Sequence, residues 1–327
     1  MFAVWYDRMG PAADVIQFGE LNSPEPDSGE VLVRLYTSGI NPADVKRRSG
    51  WTGINEHFDR VIPHGDGAGI IEAIGAGVPK SRVGERVWVH RMKDQNGGTA
   101  AEYAALPSDQ AFPLPDHLSF AEGACLGVPA VTAYQAVMSD GPVTGQTLLI
   151  AGGAGAVAHY AIQFAKLCDA TVITTVSSEE KAMHAKTAGA DAIINYKTDD
   201  VVTRVLELTD GAGVDRIVEV DFGANLPIDV PIIKPAGVIA SYSSTAVREP
   251  VLPYYPLAYK GVTVHFVQAY ITALAKRQAM LADILRQLES GALIHRVGAR
   301  FQLPETADAH EALESGRIIG NVVVDIV

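Results

Sequence analysis

Apolar positions along this chain recur in two rhythms. Up to about residue 115 they fall into short β-branched runs closed by glycine: Val31–Tyr36 alternates partly and stops at Gly39, and Gly69–Gly75 and Arg86–His90 follow. Strands this short and this punctuated predict a twisted barrel or partly open sheet. Pro113 and Pro115 mark a crossing, after which Ser119 stands three residues before Glu122, the spacing of a capping box. A helical stretch over 120–139 is expected there, broken at Pro129. From Thr147 onward strand and helix alternate, with strands at 147–150, 171–176, 192–195, 216–220 and 238–240 and helices near 155–168, 179–188, 199–209 and 225–233. That spacing predicts an α/β protein with a parallel, doubly wound sheet. A long helix near 270–290 leads back to a last strand, Asn321–Ile326, in a tail too short to fold alone. The tail is expected to complete the N-terminal lobe, giving a discontinuous domain of 1–120 with 270–327 around a central domain of 121–269. The β-branched run Val262–Val267 reads as an edge strand able to pair across a dimer.

The turn after Leu148–Ile150 carries the chemistry. It runs Gly152, Gly153, Ala154, Gly155, Ala156, Val157, Ala158 and then turns helical, a G-x-G-x-x-A spacing at Gly153, Gly155 and Ala158. Gly153 would permit a tight turn, Gly155 would let the backbone approach a pyrophosphate, and a small residue at 158 would let helix and strand pack closely. Amide N–H groups at the helix start then face the diphosphate, aided by the helix dipole. Alone the motif equally describes a tight turn; between a strand and a helix of a βαβ series it points to a dinucleotide. The next strand ends Thr175-Val176-Ser177-Ser178, where an NAD-binding protein would place a carboxylate on the ribose 2′-hydroxyl. Ser177 and Ser178 offer hydroxyls, Lys181 offers charge, and Tyr196 ends the following strand, so NADPH is expected in preference to NADH. Glu179 and Glu180 weigh the other way unless they serve as helix N-terminal acids.

Charge and composition remove several alternatives. The net charge of −12 makes nucleic acid and anionic lipid poor partners, though a local basic patch can still bind a cofactor phosphate. Only two cysteines, Cys125 and Cys168, are present, in no metal-ligand spacing, which fits a reducing compartment. No signal peptide and no apolar run long enough for the bilayer is read, so the cytoplasm is the default.

The segment Ser38-Gly-Ile-Asn41-Pro42-Ala-Asp-Val-Lys46-Arg-Arg-Ser-Gly50 resembles the signature of zinc-independent quinone oxidoreductases, the zeta-crystallin-like branch of the medium-chain dehydrogenase/reductase superfamily. The likeness continues through Pro63–Gly75, Val83–Val87, Ala101–Tyr103, Gly127–Tyr134, the glycine loop and Gly261–Thr263, in order along nearly the whole chain. It implies a GroES-like substrate lobe and a Rossmann lobe with a cleft between them. It also implies reduction of quinones or α,β-unsaturated carbonyls by NADPH, usually in a homodimer. It assigns Ala154, Gly155, Ala156 and Val157 to the pyrophosphate, and Ser177, Lys181 and Tyr196 to the adenosine 2′-phosphate. Asn41 and Thr132 would border the nicotinamide; Ser241, Ser243, His265 and Phe266 would lie at strand ends lining the cofactor's reactive half. Lys46 stands where close relatives often have Tyr, and Asn321 where the family often has Lys; Lys46 is a candidate to hold a substrate oxygen, Asn321 to bond the cofactor. Arg47 and Arg48 are either an anion-attracting pair or a solvated cluster, while Trp51 and Phe58 could wall a flat substrate.

Zinc fits the residues poorly. A catalytic zinc takes about three Cys, His or carboxylate ligands. No Cys stands near 39–41, where the zinc alcohol dehydrogenases of this superfamily have one, and His64-Gly65-Asp66 places its His one position early for their Gly-His-Glu triplet. Without a Lewis acid a simple ketone is a difficult acceptor, whereas a quinone or enone spreads the incoming charge. Two rivals stay open: a cofactor-binding structural or regulatory protein with little turnover, and, less favoured, a zinc alcohol dehydrogenase.

Overall fold

In this computed structural model, residues 1–51, 59–90 and 97–326 are described. The chain opens with β1 (Phe2–Trp5), α1 (Ala12–Val15), β2 (Gln17–Glu20), β3 (Glu30–Ile40) and α2 (Pro42–Ser49). Four more strands follow: β4 (Asp66–Ile74), β5 (Arg86–His90), β6 (Tyr103–Pro107) and β7 (Ala111–Pro113). Helices α3 (Phe120–Gly123) and α4 (Gly127–Met138) lead to β8 (Thr147–Ile150), α5 (Ala156–Leu167), β9 (Thr171–Val176), α6 (Glu179–Thr187) and β10 (Ala192–Asn195). Next come α7 (Val201–Leu208), β11 (Val214–Glu219), α8 (Phe222–Ile232), β12 (Ile233–Ser241), α9 (Tyr254–Lys260) and β13 (Thr263–Phe266). The chain closes with α10 (Leu274–Glu289), β14 (Val297–Gln302), α11 (Thr306–Glu314) and β15 (Asn321–Asp325). It divides into two compact units, Met1–Pro129 with Asp283–Val327, and Ala130–Ala282.

The second unit holds a six-stranded sheet in the order β10-β9-β8-β11-β12-β13, every pair parallel. This is the doubly wound Rossmann order, with the switch in winding beside β8. Strands covered on both faces must be apolar throughout, and Leu148, Leu149 and Ile150 are all buried. Helix α8 forms although it contains Pro227 and Pro231. Phe222, Leu226 and Ile232 join the core of this sheet, and that burial outweighs the hydrogen bonds the prolines remove.

The first unit holds a seven-stranded sheet, β14-β15-β3-β4-β5-β7 with β6 also on β3. All its pairings are antiparallel except β14 with β15. The C-terminal strand does complete the N-terminal lobe: β15 pairs with the end of β3, Val324 opposite Ser38 and Val322 opposite Ile40. Pro129 breaks nothing. It sits in the first turn of α4, where a missing N–H costs no helical bond, and the interruption falls earlier, between α3 and α4. Helices α2 and α11 are additions that the apolar rhythm did not announce.

Candidate functional site

The glycine loop joins β8 to α5 through two backbone anchors on β9: Gly153 N–H donates to Thr175 O at 2.9 Å, and Gly152 N–H to Thr175 Oγ1 at 3.1 Å. The glycine roles differ from the sequence reading. Gly152, at φ +70, makes the left-handed turn, whereas Gly153 is needed because a Cβ there would stand 2.3 Å from Thr174 Oγ1. Gly155 is the N-cap of α5 with no side-chain cap, so the first-turn amides of Ala156, Val157 and Ala158 receive no acceptor from it. Ala158 is fully buried. The loop thus offers bare N–H groups at a helix N-terminus, the arrangement that binds phosphate.

Ser177, Lys181 and Tyr196 come together beside it. Tyr196 N–H donates to Val176 O, which sets the residue next to Ser177, and Lys181 Nζ donates to Ser177 Oγ at 3.2 Å. Ser178 caps α6 through Lys181 N–H, and Glu179 and Glu180 occupy the first turn, as helix-dipole acids do. Tyr196 is 47% exposed, under the ammonium of Lys197. A cavity of about 500 Å³ opens at these strand ends, lined by Gly152, Thr175, Tyr196, Glu219 and Asp229 among others.

The residues expected around the reactive half of a dinucleotide are less uniform. Ser241 and Phe266 are paired across β12 and β13, with Phe266 exposed and Ser241 Oγ donating to Ser243 O. His265 is turned to Ser139, with Nδ1 and Oγ 3.0 Å apart, so one ring nitrogen serves the fold. Thr132 is buried within α4. Tyr134 packs edge-on against Phe164, as a core residue.

In the first unit, Asn41 caps α2 and its backbone N–H donates to Asp44 Oδ2. Burial is the main cause pushing the Asp44 carboxyl up to about 7. The buried Asn41 side chain donates to Asp66 Oδ2 at 2.7 Å, and Val128 N–H donates to the same oxygen. His90 Nδ1 lies 3.2 Å from Asp66 Oδ1. The sequence marks Asp66 only as a poor metal ligand; its part as the anchor of Asn41 comes from the fold. Lys46 lays its ammonium 4.5 Å from the centre of the Trp51 ring. Phe58 lies outside the described residues. One expectation is corrected. Arg48 is neither an anion trap nor solvated: it is fully buried and donates to Gly10 O and to Glu314 Oε1. Asn321 is buried, and one of its two amide hydrogens is donated to Arg296 O at 3.0 Å, at the β14–β15 junction.

His64 Nε2 meets His310 Nε2 at 2.9 Å and His64 Nδ1 meets Ser38 Oγ at 2.8 Å. Burial first, then the facing histidine, lowers the His64 pKa; burial, then Arg48, pushes His310 down to about 3. Both rings are therefore neutral at physiological pH.

With that geometry in hand, comparison with known proteins is specific. The profile of zinc-binding dehydrogenases matches residues 156–282, and that of the alcohol dehydrogenase GroES-like domain matches residues 27–116. The quinone oxidoreductase of Sus scrofa is 28% identical over 312 residues, covering 94% of this chain and 92% of its own. A solved NAD-dependent alcohol dehydrogenase is 30% identical with a TM-score of 0.91, each chain covered completely. A mycobacterial protein solved with NADPH is 26% identical with a TM-score of 0.89, again over both whole chains. The zinc in the first profile's description does not suit the donors present here. The Asp66 oxygens already face two N–H donors and His90, and the His64 nitrogens face Ser38 and His310. Cys125 is buried with its thiol donating to Ala121 O, and burial raises its pKa. No group of three metal-competent side chains occurs among the described residues.

Proposed function

Because this chain belongs to the zinc-independent quinone-oxidoreductase branch of the medium-chain dehydrogenase/reductase superfamily, we propose that it is an NADPH-dependent reductase passing hydride to a quinone or an α,β-unsaturated carbonyl. The observation that carries the reading is the start of α5, with its bare amides, next to the Ser177–Lys181 pair where a carboxylate would select NADH. Once bound, the reduced nicotinamide supplies the hydride. The α5 amides and dipole hold the diphosphate. The Ser177 hydroxyl and the Lys181 ammonium hold the 2′-phosphate, with Tyr196 beside them.

Lys46, steadied on Trp51, brings positive charge to the substrate oxygen. Asn41, fixed by Asp66, has one amide N–H beyond the bond it gives that carboxylate. Thr132, Ser241, Ser243 and Phe266 border the reactive half of the cofactor. The proton comes from water. Hydrogen bonds and one ammonium suffice when the acceptor delocalises the incoming charge, which is why a conjugated carbonyl suits this donor set and a simple ketone does not.

The test is oxidation of NADPH and of NADH by the purified chain with a small quinone, an enone panel, a simple ketone and an alcohol. The expected result is kcat/KM for the quinone or enone with NADPH at least about 100-fold above that for the ketone, ~2.7 kcal/mol in transition-state terms. Tight NADPH binding without turnover on any acceptor would instead make the chain a cofactor-binding structural protein. Stoichiometric zinc in the active protein would overturn the account of residues 38–66.

The assembly proposed is a homodimer built on β13. This strand is the outer one of the six-stranded sheet, it ends in exposed Phe266, and α9 nearby exposes Tyr254, Tyr255 and Tyr259. The setting proposed is the cytoplasm, supported by Cys125 and Cys168 standing outside any disulfide; no described helix is long and apolar enough to cross a membrane.

A further inference from the structure

Asn225, in the first turn of α8, lines the cavity of about 500 Å³ at the strand ends of β8 to β11 and has no part in the reading above. It is half-buried, and its N–H donates to Asp221 O within the helix. An amide side chain can be turned either way round, so its neighbours decide which end faces where. Here Asn225 Nδ2 donates to Glu219 Oε1 at 2.8 Å. The same oxygen accepts from Asp221 N–H, so it is an acceptor whether or not the other oxygen of Glu219 carries a proton. The amide nitrogen therefore faces β11, and the carbonyl oxygen Oδ1 faces away from it. Among the described residues Oδ1 has no hydrogen-bond partner, and it is not sealed from solvent. The oxygens of Asp229 and Oε2 of Glu219, by contrast, are shut away beneath and can touch no ligand.

The rest of the cavity decides what can meet that oxygen. Asp199, Asp200 and Asp221 also line it, so a phosphate is repelled. Each of these carboxylates already accepts from the main chain: Asp199 from Asn195 N–H, Asp200 from Thr203 N–H, and Asp221 from the N–H groups of Thr245 and Ala246. Val202 on α7 and Ile228 on α8 supply half-buried apolar walls, the surface a flat ring needs. Gly152 of the glycine loop and Tyr196 of the Ser177–Lys181 cluster stand at the same cavity. A dinucleotide whose diphosphate lies on α5 and whose 2′-phosphate lies at Ser177 and Lys181 has its base left to place. That base is flat and neutral, and its exocyclic amine is a donor without a negative charge.

We propose that Asn225 Oδ1 accepts a hydrogen bond from the exocyclic amine of adenine, and that Asn225 thereby makes the chain selective for adenine over a purine with an oxo group in that place. Glu219 is the positioning residue, because it holds the amide with its oxygen turned to the base. The inference rests on the dinucleotide reading of this sheet. With an oxo group in place of the amine, two oxygens bring lone pairs face to face and neither is satisfied, which is the situation that gives a polar site its discrimination.

The experiment is calorimetric titration of the full chain with NADPH and with reduced nicotinamide hypoxanthine dinucleotide phosphate, which differs in having an oxo group for the amine. Asn225→Leu and Asn225→Ala are titrated alongside, with circular dichroism to verify each fold. The wild type should bind NADPH at least about tenfold more tightly than the hypoxanthine analogue, the range of one well-placed contact to a base edge. Either variant should bind NADPH about tenfold more weakly and the analogue about as before, so that the preference collapses to within about twofold. A purely structural role for Asn225 would weaken both ligands together and leave their ratio where it was. Equal binding of the two by the wild type, or a preference that survives in a folded variant, would overturn the proposal; the first of these needs no variant at all. Failure of the wild type to bind NADPH, NADH or the analogue would overturn the dinucleotide reading itself, and is distinguishable on that ground.

Discussion

A single methyl group is enough to disturb the cofactor loop. Gly153 packs so closely on Thr174 that a Cβ would stand 2.3 Å from its hydroxyl, which is itself donated to Ile150 O. Gly153→Ala must push the loop off β9, and NADPH should bind at least about tenfold more weakly, ~1.4 kcal/mol, in a fluorescence titration. Ser177→Asp tests the other phosphate. A carboxylate beside Lys181 repels a 2′-phosphate and accepts from a 2′-hydroxyl, so the ratio of kcat/KM for NADPH over NADH should fall by about 100-fold. The residue types at this end of the sheet were legible in the chain because loop, strand end and helix cap are local in sequence. The conformational duty of Gly152 was not, since which of two adjacent glycines takes a positive φ depends on the contact each makes.

Between elements, the bonds that matter join residues far apart in the chain. Arg48 fastens α2 to α11 through Glu314, 266 positions away, and to Gly10 at the start of the chain. Arg48→Leu should cost about 3 kcal/mol, since it strands the carbonyl of Gly10 and frees α11; Glu314 is 37% exposed, so the figure belongs at the lower end for a broken buried pair. Urea unfolding would measure it. The His64–His310 contact ties α11 to the segment before β4 in the same way.

Both histidines bind protons less readily folded than unfolded, so the stability they allow is complete above about pH 6.5. It drains away as pH falls from there toward the folded value of about 3 for His310. His310→Gln removes one of the two groups that must charge, and its melting temperature should fall less steeply than that of wild type between pH 6.5 and pH 4. No spacing rule marks Arg48 as buried within Lys46-Arg47-Arg48; only the packing of α11 on α2 does.

For the molecule as a whole, the outer strand β13 carries the strongest expectation. Phe266 is 71% exposed on that edge, and Phe266→Lys should turn a dimer into a monomer in light scattering while each chain keeps its fold. A monomeric wild type would remove the proposal. The tail shows the opposite dependence on assembly. Val322, Val323 and Val324 are fully buried in the sheet beside β3, so the first unit cannot close until β15 has been made.

The order of strands and helices, the parallel sheet and the anion-binding turn were written in the sequence, because each follows from a period or a spacing within some thirty residues. The anchoring of Asn41 by Asp66, the burial of Arg48, the bond from Asn321 to Arg296 and the burial of Glu219 and Asp229 were decided by tertiary structure alone. A polar side chain shows its partner only once distant segments have met. Burial, the force that sets its charge, is a property of the packed molecule and of no stretch of the chain.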